Sequence, residues 1–228
     1  MASNYSEFIR HSDIIAFKGR KHVLSNFYPC SIFFEERWFN CVEQAYQWAK
    51  AVHHDYLDVA NFILSLKDPY AIRSSTKTIT VNNDWLTKRT HCMKNILKAK
   101  LECVPEYKHL LLISSGTIAE AVPCETFWSC GLSKIAVYQT KPSEWTGKNM
   151  LGILHMEVRA ELKTLHSFLK SAQQQIHHKL QFELDSGIED VSIDLENVLV
   201  TIYSRDLERA YLFTDGLLIP RQAVRVLV

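Results

Sequence analysis

From residue 40 onward the apolar residues fall at helical spacing, and this change of period constrains the fold more than any other feature of the chain. Val42, Ala45, Tyr46, Ala49 and Val52 recur three and four apart, with Asn40 placed as the N-cap. A second helical stretch, Tyr56 to Leu66, carries Val59, Ala60, Ile63 and Leu66 on one face before Pro69 breaks it. Asn82-Asn83-Asp84 caps a longer helix with Leu86, Met93, Leu97 and Leu101 as its buried stripe. Pro105 opens a helix to Ile113, at a position where its missing N–H costs little. The longest helix starts near Asn149, with Ile153, Leu154, Val158, Leu162, Leu165 and Leu169 in its stripe, and fades through Gln173 to His178.

Strand-forming blocks flank these helices. Ile14–Phe17 is one, Ser31–Phe34 and Trp38-Phe39 make a hairpin, and Thr117–Val122 is a further short strand after Gly116. Past about residue 180 come Val191–Ile193, Val198–Tyr203, Tyr211–Phe213, Leu217–Ile219 and Val224–Val228, with Asp215-Gly216 as a hairpin turn. The expectation is an α+β fold, a mostly helical domain over 1–170 with a few short strands, and a small β-rich extension over 171–228. Seven glycines and six prolines in 228 residues argue against a turn-dense all-β chain.

Several function classes drop out. At 47% hydrophobic and 22% charged the chain folds, and a net charge of +1 gives no global basic field for nucleic acid. No apolar run is long enough to span a bilayer, and the polar N-terminus lacks a signal-peptide core. The six cysteines show no CxxC and no framework, so they read as reduced thiols in a cytoplasmic protein, with nuclear entry left open. HExxH, Walker, GxGxxG and GxSxG motifs are absent, so no metal and no cofactor is expected. The neighbours His53-His54 and His177-His178 are spaced to point to different helix faces.

Glu43, Gln47 and Lys50 stand at i, i+4 and i+7, which makes one polar stripe beside the apolar one. Such a stripe is either a solvated face or the wall of a site. Trp85 either lids a pocket or packs, and Glu120 and Glu125 flank a proline where burial would raise a carboxyl pKa. Cys124 and Cys130 are either thiol nucleophiles or small buried hydrophobes.

Short motifs in a fixed order add to this. Leu24-Ser25-Asn26-Phe27-Tyr28-Pro29 precedes Val42-Glu43-Gln44-Ala45-Tyr46-Gln47 with Lys50; Asn83-Asp84-Trp85, Met93, Ile96-Leu97 and Ala99-Lys100 follow. Then come Glu120, Phe127-Trp128, Gly147-Lys148-Asn149-Met150-Leu151-Gly152, Met156-Glu157-Val158-Arg159 and Glu161-Leu162. Over about residues 14–165 the chain resembles the NADAR (YbiA-like) superfamily; the segment after 170 lies outside the resemblance.

The resemblance implies an α-rich α+β fold around a cleft and cleavage of N-glycosidic bonds. The substrates it implies are ADP-ribose on a guanine base, in single-stranded nucleic acid or free, or ribosylamine phosphates of riboflavin synthesis. A module that binds NAD or ADP-ribose without turnover is the alternative. Glu43, Trp85 and Glu125 match the family's site positions, with Glu125 where bacterial relatives carry Asp. Glu43 is then the carboxylate acting on ribose and Glu125 the second acid. Trp85 or Trp128 stacks on the base, with Tyr46 and Gln47 beside Glu43. Lys148 and Asn149, at a helix start, supply donors for phosphate, with Arg20, Lys21, Arg73 and Lys134 as lesser candidates. Lys18 is a second nucleophile, able to capture a ring-opened sugar as a Schiff base.

Overall fold

The structure is a computed structural model that describes residues 13–183, 188–194, 199–204, 211–214 and 217–220. It divides into two compact units, Met1–Leu162 and Lys163–Val228. The first is built around a parallel pair, β1 (Ile14–Phe17) and β4 (Thr117–Glu120), in register from Ile14 opposite Thr117 to Phe17 opposite Glu120. Parallel neighbours need a long crossover. Here it holds the hairpin β2 (Ile32–Phe34) and β3 (Arg37–Phe39), then helices α1 (Val42–His53), α2 (Leu57–Ser65), α3 (Pro69–Ser75), α4 (Asn83–Cys103) and α5 (Pro105–Ile113). After β4 come the short α6 (Lys134–Val137) and the long α7 (Met150–Glu183). The architecture is α+β and mostly helical, as expected.

In the second unit β5 (Ile188–Asp194) pairs antiparallel with β6 (Leu199–Ser204), and β7 (Tyr211–Thr214) with β8 (Leu217–Pro220). The expected turn residues Asp215-Gly216 and the expected strand Val224–Val228 lie outside the described residues. Among the described residues no helix is long and apolar enough to cross a membrane.

The main core draws Phe17 and Leu24, the inner faces of α1 and α4, and Leu151, Leu154, Val158 and Leu162 of α7 into one cluster. Complete burial of side chains such as Phe17, Leu24 and Ile96 contributes roughly 1.5–3 kcal/mol each. Two polar groups are buried among them. Lys100 Nζ donates to the carbonyls of Val23 and Ser25, and burial lowers its pKa to about 8. His155 Nε2 lies 2.9 Å from the Leu24 carbonyl oxygen, and Tyr107 Oη 2.8 Å from His155 Nδ1. A neutral ring that donates at Nε2 and accepts at Nδ1 satisfies both contacts. Both buried groups therefore hold the loop from Val23 to Ser25 in place.

Several local expectations are corrected. Cys41, in extended backbone, is the N-cap of α1; Asn40 instead donates its N–H to Gln44 Oε1 at 2.7 Å. Pro69 opens α3, where Asp68 accepts from the Ala71 N–H, because a proline at the first turn breaks no helical bond. Asn82 does cap α4, but Leu86 is exposed while Trp85 is buried. On α7, Leu165 is exposed and Ile153 half-buried. His53 and His54 face the same ring, at 5.2 and 6.0 Å from Trp85, because His54 is the C-cap and has left the helical path. Gly152 allows α7 to meet β4: a Cβ there would strike the Ile118 carbonyl.

Candidate functional site

β1 and β4 end together, and the chain leaving each strand opens onto one cavity of about 220 Å³. Lys18 and Gly19 follow β1, Glu120 closes β4, and Val122, Glu125 and Trp128 follow it. The loop pinned by Lys100 and His155 adds Ser25, Asn26 and Phe27. Helix α1 contributes Glu43, Tyr46 and Gln47, α3 contributes Tyr70 and Arg73, and α4 contributes Met93. The lining combines carboxyl, amide and basic side chains with aromatic rings. That combination can orient a sugar while stacking a flat ring.

Glu43 is buried in the first turn of α1. Its backbone N–H donates to the Asn26 carbonyl at 2.9 Å, which ties the helix start to the loop. One turn on, Gln47 Nε2 donates to Glu43 Oε1 at 2.8 Å, and Gln47 Oε1 accepts from the Thr76 hydroxyl. Lys50 continues the stripe and donates to the Thr76 carbonyl at 3.2 Å. Burial pushes the Glu43 carboxyl above the usual range, opposed by the Gln47 bond and the charges of Arg73 and Lys50. The stripe is therefore not a solvated face: Glu43 and Gln47 are buried and line the cavity, and Lys50 is half-buried beside Thr76.

The other two carboxyls are held differently. Glu125 Oε1 accepts from the N–H groups of Phe127 and Trp128 at 2.8 and 3.1 Å, and Oε2 lies 3.6 Å from Arg73 Nη2. Glu120 has its backbone fixed, donating to Asn149 Oδ1 at 3.0 Å and accepting from Ser129 Oγ at 2.6 Å and from the Cys130 N–H at 3.0 Å. Its carboxyl has no hydrogen bond or ion pair among the described residues, and burial, with Glu43 and Glu125 nearby, raises its pKa to about 7. Asn26 Oδ1 is likewise buried without a partner.

The cavity thus gathers Lys18, Glu43, Tyr46, Gln47, Glu125 and Trp128 of the residues expected from the sequence. It does not take in Trp85, Lys148 or Asn149. Trp85 is buried one layer back, 5.5 Å from the Tyr46 ring, which in turn meets Trp128 edge-on at 5.5 Å. Asn149 is buried with its side chain spent on the backbone of Ile118 and Glu120, an engagement that its φ of 51° permits. Lys148 is exposed and lies 5.8 Å from the Phe127 ring. Arg73 is the one of the four lesser cations that reaches the cavity. Cys130 is buried with a raised pKa and Cys124 is exposed; neither lines the cavity. Glu120, Asn26 and Tyr70 were not assigned to the site from sequence. For Glu120 the proline-flanked carboxylate pair was the available signal.

A family model described as the NADAR domain matches residues 8–163. Among curated proteins, Protein irg-1 of Caenorhabditis elegans is 25% identical over 148 residues, 63% of this chain and 70% of that protein. Riboflavin biosynthesis protein PYRR, chloroplastic, of Arabidopsis thaliana is 35% identical over 82 residues, 36% of this chain and 12% of its own length. N-glycosidase R617 of Acanthamoeba polyphaga mimivirus is 37% identical over 54 residues, 24% of this chain and 32% of its own. Among solved structures, the NMR structure of the E. coli protein YbiA superposes with a TM-score of 0.53 at 23% identity, covering 71% of this chain and 91% of YbiA. That likeness establishes the fold.

Proposed function

The chain belongs to the NADAR family, and on that premise we propose that it is an N-glycosidase that hydrolyses the bond between ribose and nitrogen, removing ADP-ribose from guanine bases. The observation that carries the reading is Glu43: a buried carboxyl in the cavity lining, with one oxygen fixed by Gln47 and the other left for substrate. Breaking the bond develops positive charge at the anomeric carbon and negative charge on the departing nitrogen. Glu43 stabilises the first and takes the proton of the attacking water. A second carboxyl in the same cavity protonates the nitrogen, the role that the sequence assigns to Glu125. Trp128 and Tyr46 offer ring faces to the base, and Arg73 with Lys18 offers positive charge to phosphate.

A second reading of the attack step has its own support, since Lys18 lines the cavity at the end of β1. Where the sugar hangs on an exocyclic amine its ring can open, and the Lys18 amine then adds to the anomeric carbon in place of water.

The test is release of ADP-ribose from a guanine-ADP-ribosylated single-stranded oligonucleotide, followed by mass, with Glu43→Gln in parallel. Release by the native protein and a loss of about 10²- to 10⁴-fold in the variant is the expected result. Tight ADP-ribose binding without release would make the chain a binding module. Absence of both would redirect the search to ribosylamine phosphates of the riboflavin type.

A further inference from the structure

We propose that Glu120, and not Glu125, is the acid that protonates the departing nitrogen. The assignment rests on the N-glycosidase reading above and concerns one step of it.

The two carboxyls differ in what already holds them. Glu125 has one oxygen bonded to two backbone N–H groups, with the other facing Arg73, so it serves to shape the Phe127-Trp128 loop and to orient that guanidinium. A substrate nitrogen approaching it competes with these groups. Glu120 faces no such competition. Its main chain is anchored at three points while its carboxyl enters the cavity with no partner of its own. An unengaged polar group on a rigid strand end is the arrangement expected of a group reserved for a ligand.

Protonation favours the same residue. Burial holds the Glu120 carboxyl near pH 7, reinforced by the facing charges of Glu43 on α1 and Glu125 on the loop, and opposed by Arg73 on α3. Lys18, Tyr46 and Tyr70 also line the cavity, and Cys130 lies behind the strand end. A carboxyl able to keep its proton at neutral pH is in the state that a proton donor needs. Asn26, which lines the same cavity with its Oδ1 buried and unpartnered, is an independent sign that a ligand donor completes the site.

The step balances as follows. The bond between anomeric carbon and nitrogen breaks, and its electron pair stays on nitrogen, which takes the Glu120 proton. Water adds its oxygen to the anomeric carbon and loses one proton to Glu43. Proton exchange with solvent then restores both carboxyls.

Leaving-group dependence tests this. Guanine departs from the ADP-ribosylated oligonucleotide only with a proton, whereas nicotinamide departs from NAD as a neutral base and needs none. Glu120→Gln should lower kcat on the oligonucleotide about 10²- to 10³-fold and leave NAD hydrolysis within about threefold of native. Native kcat/KM on the oligonucleotide should fall as pH rises through about 7, a limb that Glu120→Gln lacks and Glu120→Asp retains. Glu43→Gln should abolish both reactions. Should the native protein leave NAD intact, the pH limb alone decides. Retention of the oligonucleotide rate or of the limb in Glu120→Gln overturns the assignment, as does an equal loss on both substrates. If the native protein cleaves neither substrate, the N-glycosidase reading itself fails and takes this step with it.

Discussion

Gln47 Nε2 stands 2.8 Å from Glu43 Oε1, one helical turn along α1, and Gln47 Oε1 accepts from the Thr76 hydroxyl. Turning the amide over would set its oxygen against the carboxylate, so Glu43 meets an N–H. That N–H favours the ionised carboxyl against the effect of burial.

Replacing Gln47 by Ala removes the opposing influence, so the Glu43 pKa rises further. Since Glu43 must be ionised to accept a proton, the acid limb of kcat/KM moves to higher pH. A pH–rate profile of Gln47→Ala reads this directly. An unmoved limb would mean that the amide does not tune Glu43.

The two tryptophans should separate cleanly. Trp85→Ala empties a buried site behind Tyr46 and should cost about 3–5 kcal/mol of stability, measured by guanidinium unfolding. Trp128→Ala, at the half-buried cavity wall, should lose about 1–3 kcal/mol of ADP-ribose affinity by titration, with a smaller loss of stability. The reverse pattern would put the stacking surface at Trp85.

On the lysine route, borohydride added during turnover should trap the sugar on Lys18, read as a mass increment on its peptide, and Lys18→Met should show neither adduct nor turnover. Full turnover in Lys18→Met, with no adduct in the native protein, leaves water as the nucleophile.

His155 gives the fold an acid weakness. Burial lowers its pKa from 6.5 to about 3, so below pH 6.5 the unfolded chain takes up a proton that the folded ring refuses. Its contribution is complete above pH 6.5 and is lost at about 1.4 kcal/mol per unit as pH falls toward 3. Unfolding midpoints of native protein and His155→Gln between pH 7 and 4 should therefore converge on acidification. Parallel curves would mean that the ring is not held neutral.

The longer helices are legible in the sequence where local physics decides them. Helical apolar spacing, the Asn82 cap and the first-turn Pro105 each act over a few residues, so they are visible along the chain. The same reasoning misplaced Asn149, whose type and position at a helix start suit anion binding. The approach of β4 claimed its side chain instead, and nothing in the spacing of 118, 120 and 149 announces that contact.

By itself, then, the sequence determined the types of the longer elements, the family motifs and the presence of Glu43 on a helix with Gln47 one turn away. Only the tertiary structure decided which carboxyls are brought together. Glu43, Glu120 and Glu125 come from a helix, a strand end and a loop that meet once β1 and β4 pair across about a hundred residues of crossover. Desolvation depends on what surrounds a group in space. For that reason Trp85 became core, Glu120 became a cavity acid with a pKa near 7, and Glu125 was taken up by two backbone N–H groups.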